Sequence, residues 1–132
     1  METGIRLSYD YVESILGKPL VLGETDCNTI AANLLFLYHG VRSPLDYISA
    51  LRDAPRQTIR GDRAVHMLAN NGFLPTIDHP REGDFIIQEG RFYDEVAFVL
   101  NSSQIVTCTS DDRTVKIVHP SQVKGIIYRC HQ

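Results

Sequence analysis

The stretch that decides the fold is Gly23–Gly40, which reads GETDCNTIAANLLFLYHG. Its apolar side chains recur at helical spacing over a wide face, which predicts a central helix that is largely buried. Asp26 is a residue type that caps helix N-termini, and Gly40 is one that ends helices. Cys27 is therefore predicted to lie at the start of the most buried helix of the chain.

Three other segments carry helical patterns. SYDYVESILG (8–17) has apolar residues at helical spacing, with Ser8 as a candidate cap and Gly17 as a stop. SPLDYISALRD (43–53) begins with a serine cap and a proline in the first turn. GDRAVHMLANNG (61–72) ends in an Asn-Gly pair. The N-terminal part of the chain is therefore predicted to be helical.

The C-terminal part is rich in β-branched residues and predicts strands at 84–88, 95–100, 104–109, 114–119 and 125–130. The connections between them are short, so neighbouring strands should pair antiparallel. This order predicts an α+β fold, in which N-terminal helices pack on a C-terminal antiparallel sheet of about five strands. We expect one domain over 1–132, with a helical half at about 1–75 and a sheet half at about 82–130.

Composition excludes several classes of function. The 132 residues are 43% hydrophobic and carry a net charge of −3, whereas a nucleic-acid-binding surface needs a basic footprint. No apolar run is long enough to span a membrane, and the N-terminal residues METGIRLSYDYVES do not resemble a secretion signal. The cysteines at 27, 108 and 130 lack paired spacing, and no glycine-rich phosphate loop is present. We expect no metal, no cofactor and no nucleic acid.

Cys27 can be interpreted in two ways. The free N–H groups and the dipole of a helix N-terminus stabilise a thiolate, which is the form of cysteine that acts as a nucleophile. The alternative is that Cys27 fills space, since free cysteine is among the most buried residue types. Cys108 and Cys130 are expected to pack on the sheet.

Three stretches resemble the NlpC-type, papain-like cysteine peptidases of cell-wall remodelling, and especially the small phage tail and virion proteins of that type. GETDCN (23–28) is similar to the start of the helix that carries the family's nucleophile. REGDFIIQ (81–88) is similar to the strand that opens the sheet, and EVAFVLNSSQIVTCT (95–109) to the hairpin that follows. The resemblance covers roughly residues 20–118. It implies a papain-like fold of NlpC type with Cys27 in the nucleophile position.

The resemblance fails at the general base. The family's histidine falls on Glu95, which follows Asp94, and the third polar residue falls on Thr107. A carboxylate cannot form the imidazolium that pairs with a thiolate, and a second negative charge raises the thiol pKa. The aligned set of Cys27, Glu95 and Thr107 is therefore interpreted as vestigial. A simpler interpretation of Glu95 and Asp94 is that they end a hairpin loop in water.

Another histidine could replace the missing base. His79 precedes the Gly-Asp strand, and its loop could bring it towards a cleft, so it is the best stand-in. His39 lies at the far end of the Cys27 helix, several turns away. For every histidine the simpler interpretation is a surface or locally bonded residue. The five are His39, His66, His79, His119 and His131.

Two functions follow from the resemblance. The first is a catalytically degenerate NlpC-like domain that serves as a structural or binding component of a phage virion or tail. It would be made in the host cytoplasm and have protein partners in the particle. The alternative is an active cysteine amidase that cleaves peptidoglycan stem peptides with Cys27 as the nucleophile. A third, weaker possibility is an inhibitor or toxin-neutralising module.

Overall fold

A computed structural model describes residues 2–40, 68–90 and 95–131. Within these ranges the protein is α+β, as predicted, with two helices and one six-stranded antiparallel sheet. The helices are α1 (Glu2–Ile15) and α2 (Cys27–His39). The strands are β1 (Phe73–Thr76), β2 (Phe85–Gln88), β3 (Glu95–Asn101), β4 (Gln104–Thr107), β5 (Lys116–Val118) and β6 (Ile126–Cys130). A short 3₁₀ helix, Pro120–Gln122, connects β5 to β6.

The first helix begins earlier than predicted. Ser8 is not its cap but lies buried inside α1, where its hydroxyl donates to the carbonyl of Gly4 at 2.8 Å. A serine in a helix interior can bond back to the preceding turn in this way, so serine alone does not mark a helix start. Val12 and Ile15 bury the face that packs on the core.

The prediction of a buried α2 with a polar cap is confirmed. Asp26 is the N-cap, and its carboxylate accepts the backbone N–H groups of Thr29 and, from the preceding loop, of Gly23. Gly40 adopts a left-handed conformation (φ 70°) and ends the helix, which glycine does at little steric cost. Nine of the thirteen α2 residues are buried, so the helix is packed on most of its circumference.

The sheet has the strand order β1-β6-β2-β3-β4-β5. The meander from β2 to β5 follows the predicted antiparallel pairing. Two predictions were wrong. The sheet has six strands rather than about five, because β1 contains a proline that weakens its strand pattern, and an edge strand tolerates proline. The last strand, β6, pairs with β2 and β1 rather than with its chain neighbour β5.

The core lies on both faces of the sheet. One face packs against α1 and α2 through Val96, Phe98 and Leu100 of β3. The other face carries Ala97 and Val99, and the connection that leads from β5 to β6 contributes to burying it. The predicted helix 43–53 lies outside the described residues. Of the predicted helix 61–72, residues 68–70 are helical and a turn follows at 71–72.

The strand register gives the sheet two ends that matter for function. At the Glu95 end lie Gln88, Glu95, Thr107, Lys116 and Ile126. At the Asn101 end lie Phe85, Asn101, Gln104, Val118 and Cys130. Helix α2 runs from the first end to the second, because Cys27 contacts Val96 and His39 contacts Gly83 beside β2. At 1.5 Å per residue, these two side chains start about 18 Å apart along the helix axis.

Candidate functional site

The site that contains Cys27 is built around the first turn of α2. Cys27 follows the N-cap Asp26 directly, and only 2% of its surface is exposed. Its sulfur accepts a hydrogen bond from the backbone N–H of Val96, with an N···S distance of 3.5 Å. Helix α2 therefore places Cys27 against the start of β3, where the resemblance implies that the partner residue should be.

The thiol of Cys27 is held in its protonated form. Burial raises its pKa well above the usual range, and the charges of Asp26 and Glu95 raise it further. The Val96 N–H lowers the pKa but is outweighed by burial. The helix N-terminus was expected to stabilise the Cys27 thiolate. This stabilisation is reduced, because the carboxylate of Asp26 already accepts the Thr29 N–H. The sequence argument located the helix start correctly, but the environment there does not favour a thiolate.

Glu95 is buried rather than solvated, so the simpler interpretation of a loop end in water was wrong for this residue. It is 5% exposed, and its Oε2 accepts the backbone N–H of Ser110 at 2.6 Å. Burial raises the pKa of the carboxyl, the Ser110 donors lower it, and Asp111 and Asp112 raise it. The Ser110 hydroxyl lies near this carboxyl but makes no hydrogen bond of good geometry. Asp94 lies outside the described residues.

Thr107 also lies at the Glu95 end of the sheet. It is buried and is the last residue of β4, opposite Lys116 of β5. By strand alternation its side chain is on the same face as Ile105, which packs in the core cluster away from the helices. The structure thus brings the three aligned positions to one end of the sheet. Cys27 is on the helix side and Thr107 on the other, so they do not form a continuous triad.

Cys108 is a neighbour of Cys27 that the sequence argument treated only as a packing residue. It is 1% exposed and belongs to the core cluster that contains Val96, so the packing prediction is confirmed. Burial raises its pKa to about 12, and it also contributes to the raised pKa of Cys27. Cys108 lies two residues after Val106 in the predicted strand 104–109, and this alternation is the signal that could have placed both side chains on the same face.

The described histidines lie away from Cys27. His39 is at the other end of α2, where its Nε2 lies 2.8 Å from the carbonyl oxygen of Gly83. His119 follows β5 at the Asn101 end and caps the 3₁₀ helix. His131 follows β6 at the same end, and its N–H donates to Gly72. His66 lies outside the described residues.

His79, the predicted stand-in base, is exposed and is held by its backbone. Its carbonyl accepts a hydrogen bond from Arg129 at 2.7 Å, and its N–H donates to Asp78. The same guanidinium binds Asp84 next to the first residue of β2. The structure therefore places His79 beside Arg129 of β6, near the Asn101 end of the sheet, and does not bring it to Cys27.

The Arg129 network was not singled out from the sequence. Its guanidinium binds the buried Asp84 and the half-buried Asp78, both at 2.9 Å. Arg129 and Asp84 are 45 residues apart along the chain, so no local sequence pattern could reveal that they pair. The two carboxylates raise the pKa of Arg129, and the hydrogen bond from the Arg129 guanidinium is the largest cause of the lowered pKa of Asp78.

Within the described ranges, no group of three His, Cys, Asp or Glu residues is arranged to hold a metal ion, and no helix is long and apolar enough to cross a membrane. Comparison of the chain with protein-family models, with curated proteins and with solved structures gives no match.

Proposed function

We propose that this protein is a non-catalytic domain with an NlpC-like papain fold that serves as a structural or binding component of a phage virion or tail. The observation that carries the proposal is the state of Cys27. Its sulfur is buried under Val96, and the four described histidines are all away from its end of the sheet. The phage particle as the setting rests on the resemblance of three sequence stretches.

The papain-like part of the proposal is supported by the order of elements. A cysteine begins a buried helix, that helix packs on an antiparallel sheet, and the sheet strand next to the cysteine begins at Glu95. The hairpin of β3 and β4 places Thr107 at the same end of the sheet. The order of these elements and their shared end of the sheet agree with what the resemblance implies, whereas the side chain of Thr107 lies on the face of the sheet away from Cys27.

The non-catalytic part is supported by chemistry. A cysteine amidase needs a thiolate, a base that takes the thiol proton and a donor to the leaving amine. At the start of β3 a buried carboxylate stands where the base is expected, and its charge opposes ionisation of Cys27. Cys27 and Glu95 both ionise to anions, so each disfavours ionisation of the other. They cannot form the ion pair of thiolate and cation that a resting nucleophile needs.

A hydrolysis assay tests the absence of catalysis. Peptidoglycan stem peptides would be incubated with the wild-type protein, with Cys27→Ala and with Cys108→Ala, a matched control in which another buried core thiol is removed. We expect no hydrolysis above background in any of them. Hydrolysis that is lost in Cys27→Ala but kept in Cys108→Ala would overturn the proposal. His66→Ala would then show whether the one histidine outside the described residues is the base.

A second measurement tests whether this protein is a component of a phage virion. Virions purified from a producing culture would be analysed by targeted mass spectrometry for this chain and for a known structural protein of the particle. A constant ratio between the two through successive purification steps is the expected result. Absence of the chain from purified particles would overturn the structural role.

A further inference from the structure

The turn that leads from the helical residues 68–70 into β1 contains the pair Asn71-Gly72. The backbone nitrogen of a residue that follows asparagine can attack the amide carbon of that asparagine, and glycine has no side chain to obstruct the approach. Asn71 is the only asparagine of the chain that is followed by glycine. The two reacting groups are bonded neighbours, so no ligand is needed to bring them together. The five asparagines are at positions 28, 33, 70, 71 and 101.

The backbone nitrogen of Gly72, which would be the attacking atom, is weakly held. Its N–H donates to the carbonyl of Ala69 with an N···O distance of 3.3 Å, which is beyond the usual range. The nitrogen of Asn71, which would attack the amide of Asn70, donates to Leu68 at 3.0 Å. Asn70 is exposed and Asn71 is half-buried, so exposure alone would favour reaction at Asn70. The pair therefore provides a matched comparison of two attacking nitrogens within one segment.

The fold requires glycine at position 72. Gly72 has a φ of 84°, in the left-handed region that glycine adopts at little steric cost. Its carbonyl accepts the N–H of His131 at 3.0 Å, which ties the turn to the end of β6. The turn conformation thus selects, after Asn71, the residue that least obstructs attack on the amide.

The asparagines outside this turn are held by their surroundings. The amide Nδ2 of Asn101 donates to Tyr9 and to Gln104, both at 2.7 Å. Its amide would have to give up these bonds to turn towards the next backbone nitrogen. Asn28 and Asn33 lie within α2, where the helix fixes the backbone. Reaction at these three positions needs local opening of the structure first.

We propose that Asn71 is a site of spontaneous deamidation, and that its isoaspartyl product loosens the edge strand β1. The Gly72 nitrogen loses its proton to hydroxide and attacks Cγ of Asn71. The bond from this nitrogen to Cγ forms, the bond from Cγ to Nδ2 breaks, and Nδ2 takes a proton from water and leaves as ammonia. Water then opens the succinimide ring at either carbonyl, which gives aspartate or isoaspartate. No group is oxidised or reduced, and the inference does not depend on the proposed function.

The isoaspartyl product changes the main chain where β1 is anchored. In isoaspartate the main chain runs through the side-chain carbons and is one atom longer. This insertion lies directly before Gly72, whose carbonyl is bound to His131, and two residues before Phe73. Phe73 is 1% exposed and packs against Phe85 with a ring-centroid distance of 5.5 Å. Since β1 is an edge strand that pairs only with β6, it has few other contacts to hold it in register.

The first test measures the rates at the individual asparagines. The intact protein would be incubated in mildly alkaline buffer, and mass spectrometry of its peptides would follow the loss of each amide and separate aspartyl from isoaspartyl products. We expect conversion at Asn71 to be at least about tenfold faster than at Asn70 or Asn101, a barrier difference of about 1.4 kcal/mol. Conversion at Asn71 that is no faster than at Asn70 would overturn the proposal.

Two variants test the assigned chemistry. Asn71→Gln keeps the amide and Gly72, but its longer side chain would have to close a larger ring, so we expect the amide at position 71 to persist. Asn70→Gln is the matched control, and its Asn71 should convert at the wild-type rate. Loss of the amide at position 71 at the same rate in Asn71→Gln as in the wild-type protein would overturn attack by the Gly72 nitrogen.

Thermal melts and hydrogen exchange test the effect on β1. The isoaspartyl protein should melt about 2–8 °C lower than fresh wild type, as expected for loss of at least one hydrogen bond, and the β1 amides should exchange faster. Freshly prepared Asn71→Asp has the same added charge without the longer main chain, and it should melt with fresh wild type. Equal melting of isoaspartyl and fresh protein would overturn the loosening of β1. Equal lowering in Asn71→Asp would assign the effect to charge and overturn the main-chain argument.

Discussion

The reactivity of Cys27 is the property that most directly tests the interpretation of its site. The experiment is a brief alkylation of the native protein by iodoacetamide across a pH series, with each cysteine followed separately by mass spectrometry. Cys108 is the internal control, because it is equally buried and has no part in the aligned set of residues. We expect Cys27 to react no faster than Cys108 at any pH.

The expected alkylation rate follows from the fraction of each cysteine that is ionised to thiolate. With a pKa of about 12 instead of the ordinary 9.0, Cys108 is ionised to about one part in 10⁴ at about pH 8, against roughly one part in ten. Alkylation of the native protein should therefore be about 10³-fold slower than that of an unfolded thiol, before steric protection is counted. The pKa of Cys27 is raised by the same burial and by two nearby carboxylates, so its rate should be at least as low.

The reference state is the same chain in guanidinium, where all three thiols should react at ordinary rates. Cys130, which is half-buried whereas the other two cysteines are buried, should be the fastest of the three in the native protein. Rapid modification of Cys27 at about pH 6, before Cys108 and Cys130 react, would mean a stabilised thiolate. That result would refute both the burial argument and the non-catalytic interpretation.

Three further changes test the structural reasoning. Asp26→Ala removes the N-cap and leaves its buried N–H donors without their acceptor, so the free energy of unfolding should fall by about 2 kcal/mol in urea titrations. The pKa of Glu95 is raised in the native state, so native Glu95 binds protons more readily than unfolded Glu95. Its contribution to stability should decrease as pH rises from about 4.5, and thermal melts of Glu95→Gln should lose that part of the pH dependence. A Cβ at Gly83 would overlap the ring of Tyr38, whereas one at Gly17 would meet open space, although both have positive φ. Gly83→Ala should therefore lower the free energy of unfolding by about 1–3 kcal/mol more than Gly17→Ala does, because of the added overpacking, and thermal melts should show the lower melting temperature.

The parts of the fold that sequence predicted are those set by local chemistry. Asp26 and Gly40 mark the ends of α2 because capping involves only groups within one turn. Runs of β-branched residues mark β2, β3 and β4 because strand propensity is also local. The position of β6 between β1 and β2 depends on pairing with segments about 40 to 55 residues away, which a pattern along the chain does not encode.

The candidate site also has features that local sequence predicts and features that depend on contacts between distant segments. The placement of Cys27 at a helix start was predictable, because Asp26 precedes it and a wide apolar face follows it. The burial of Glu95 was not, because it depends on the loop that presents the N–H of Ser110 to its carboxylate. The location of His79 depends on Arg129, which holds the carbonyl of that loop from a strand 50 residues away.

For the papain-like fold that we propose, these contacts imply that the lack of a histidine at position 95 is not the only barrier to catalysis. Glu95→His would remove one negative charge near Cys27, but burial, the largest cause of the raised thiol pKa, and the charge of Asp26 would both remain. The substitution would also take away the acceptor of the Ser110 N–H, which is held at 2.6 Å by the present carboxylate. We therefore expect Glu95→His to leave Cys27 unreactive towards iodoacetamide at about pH 6 and to lower the melting temperature. A reactive Cys27 in this single variant would show instead that burial is not the controlling factor, and that one substitution separates this domain from an active enzyme.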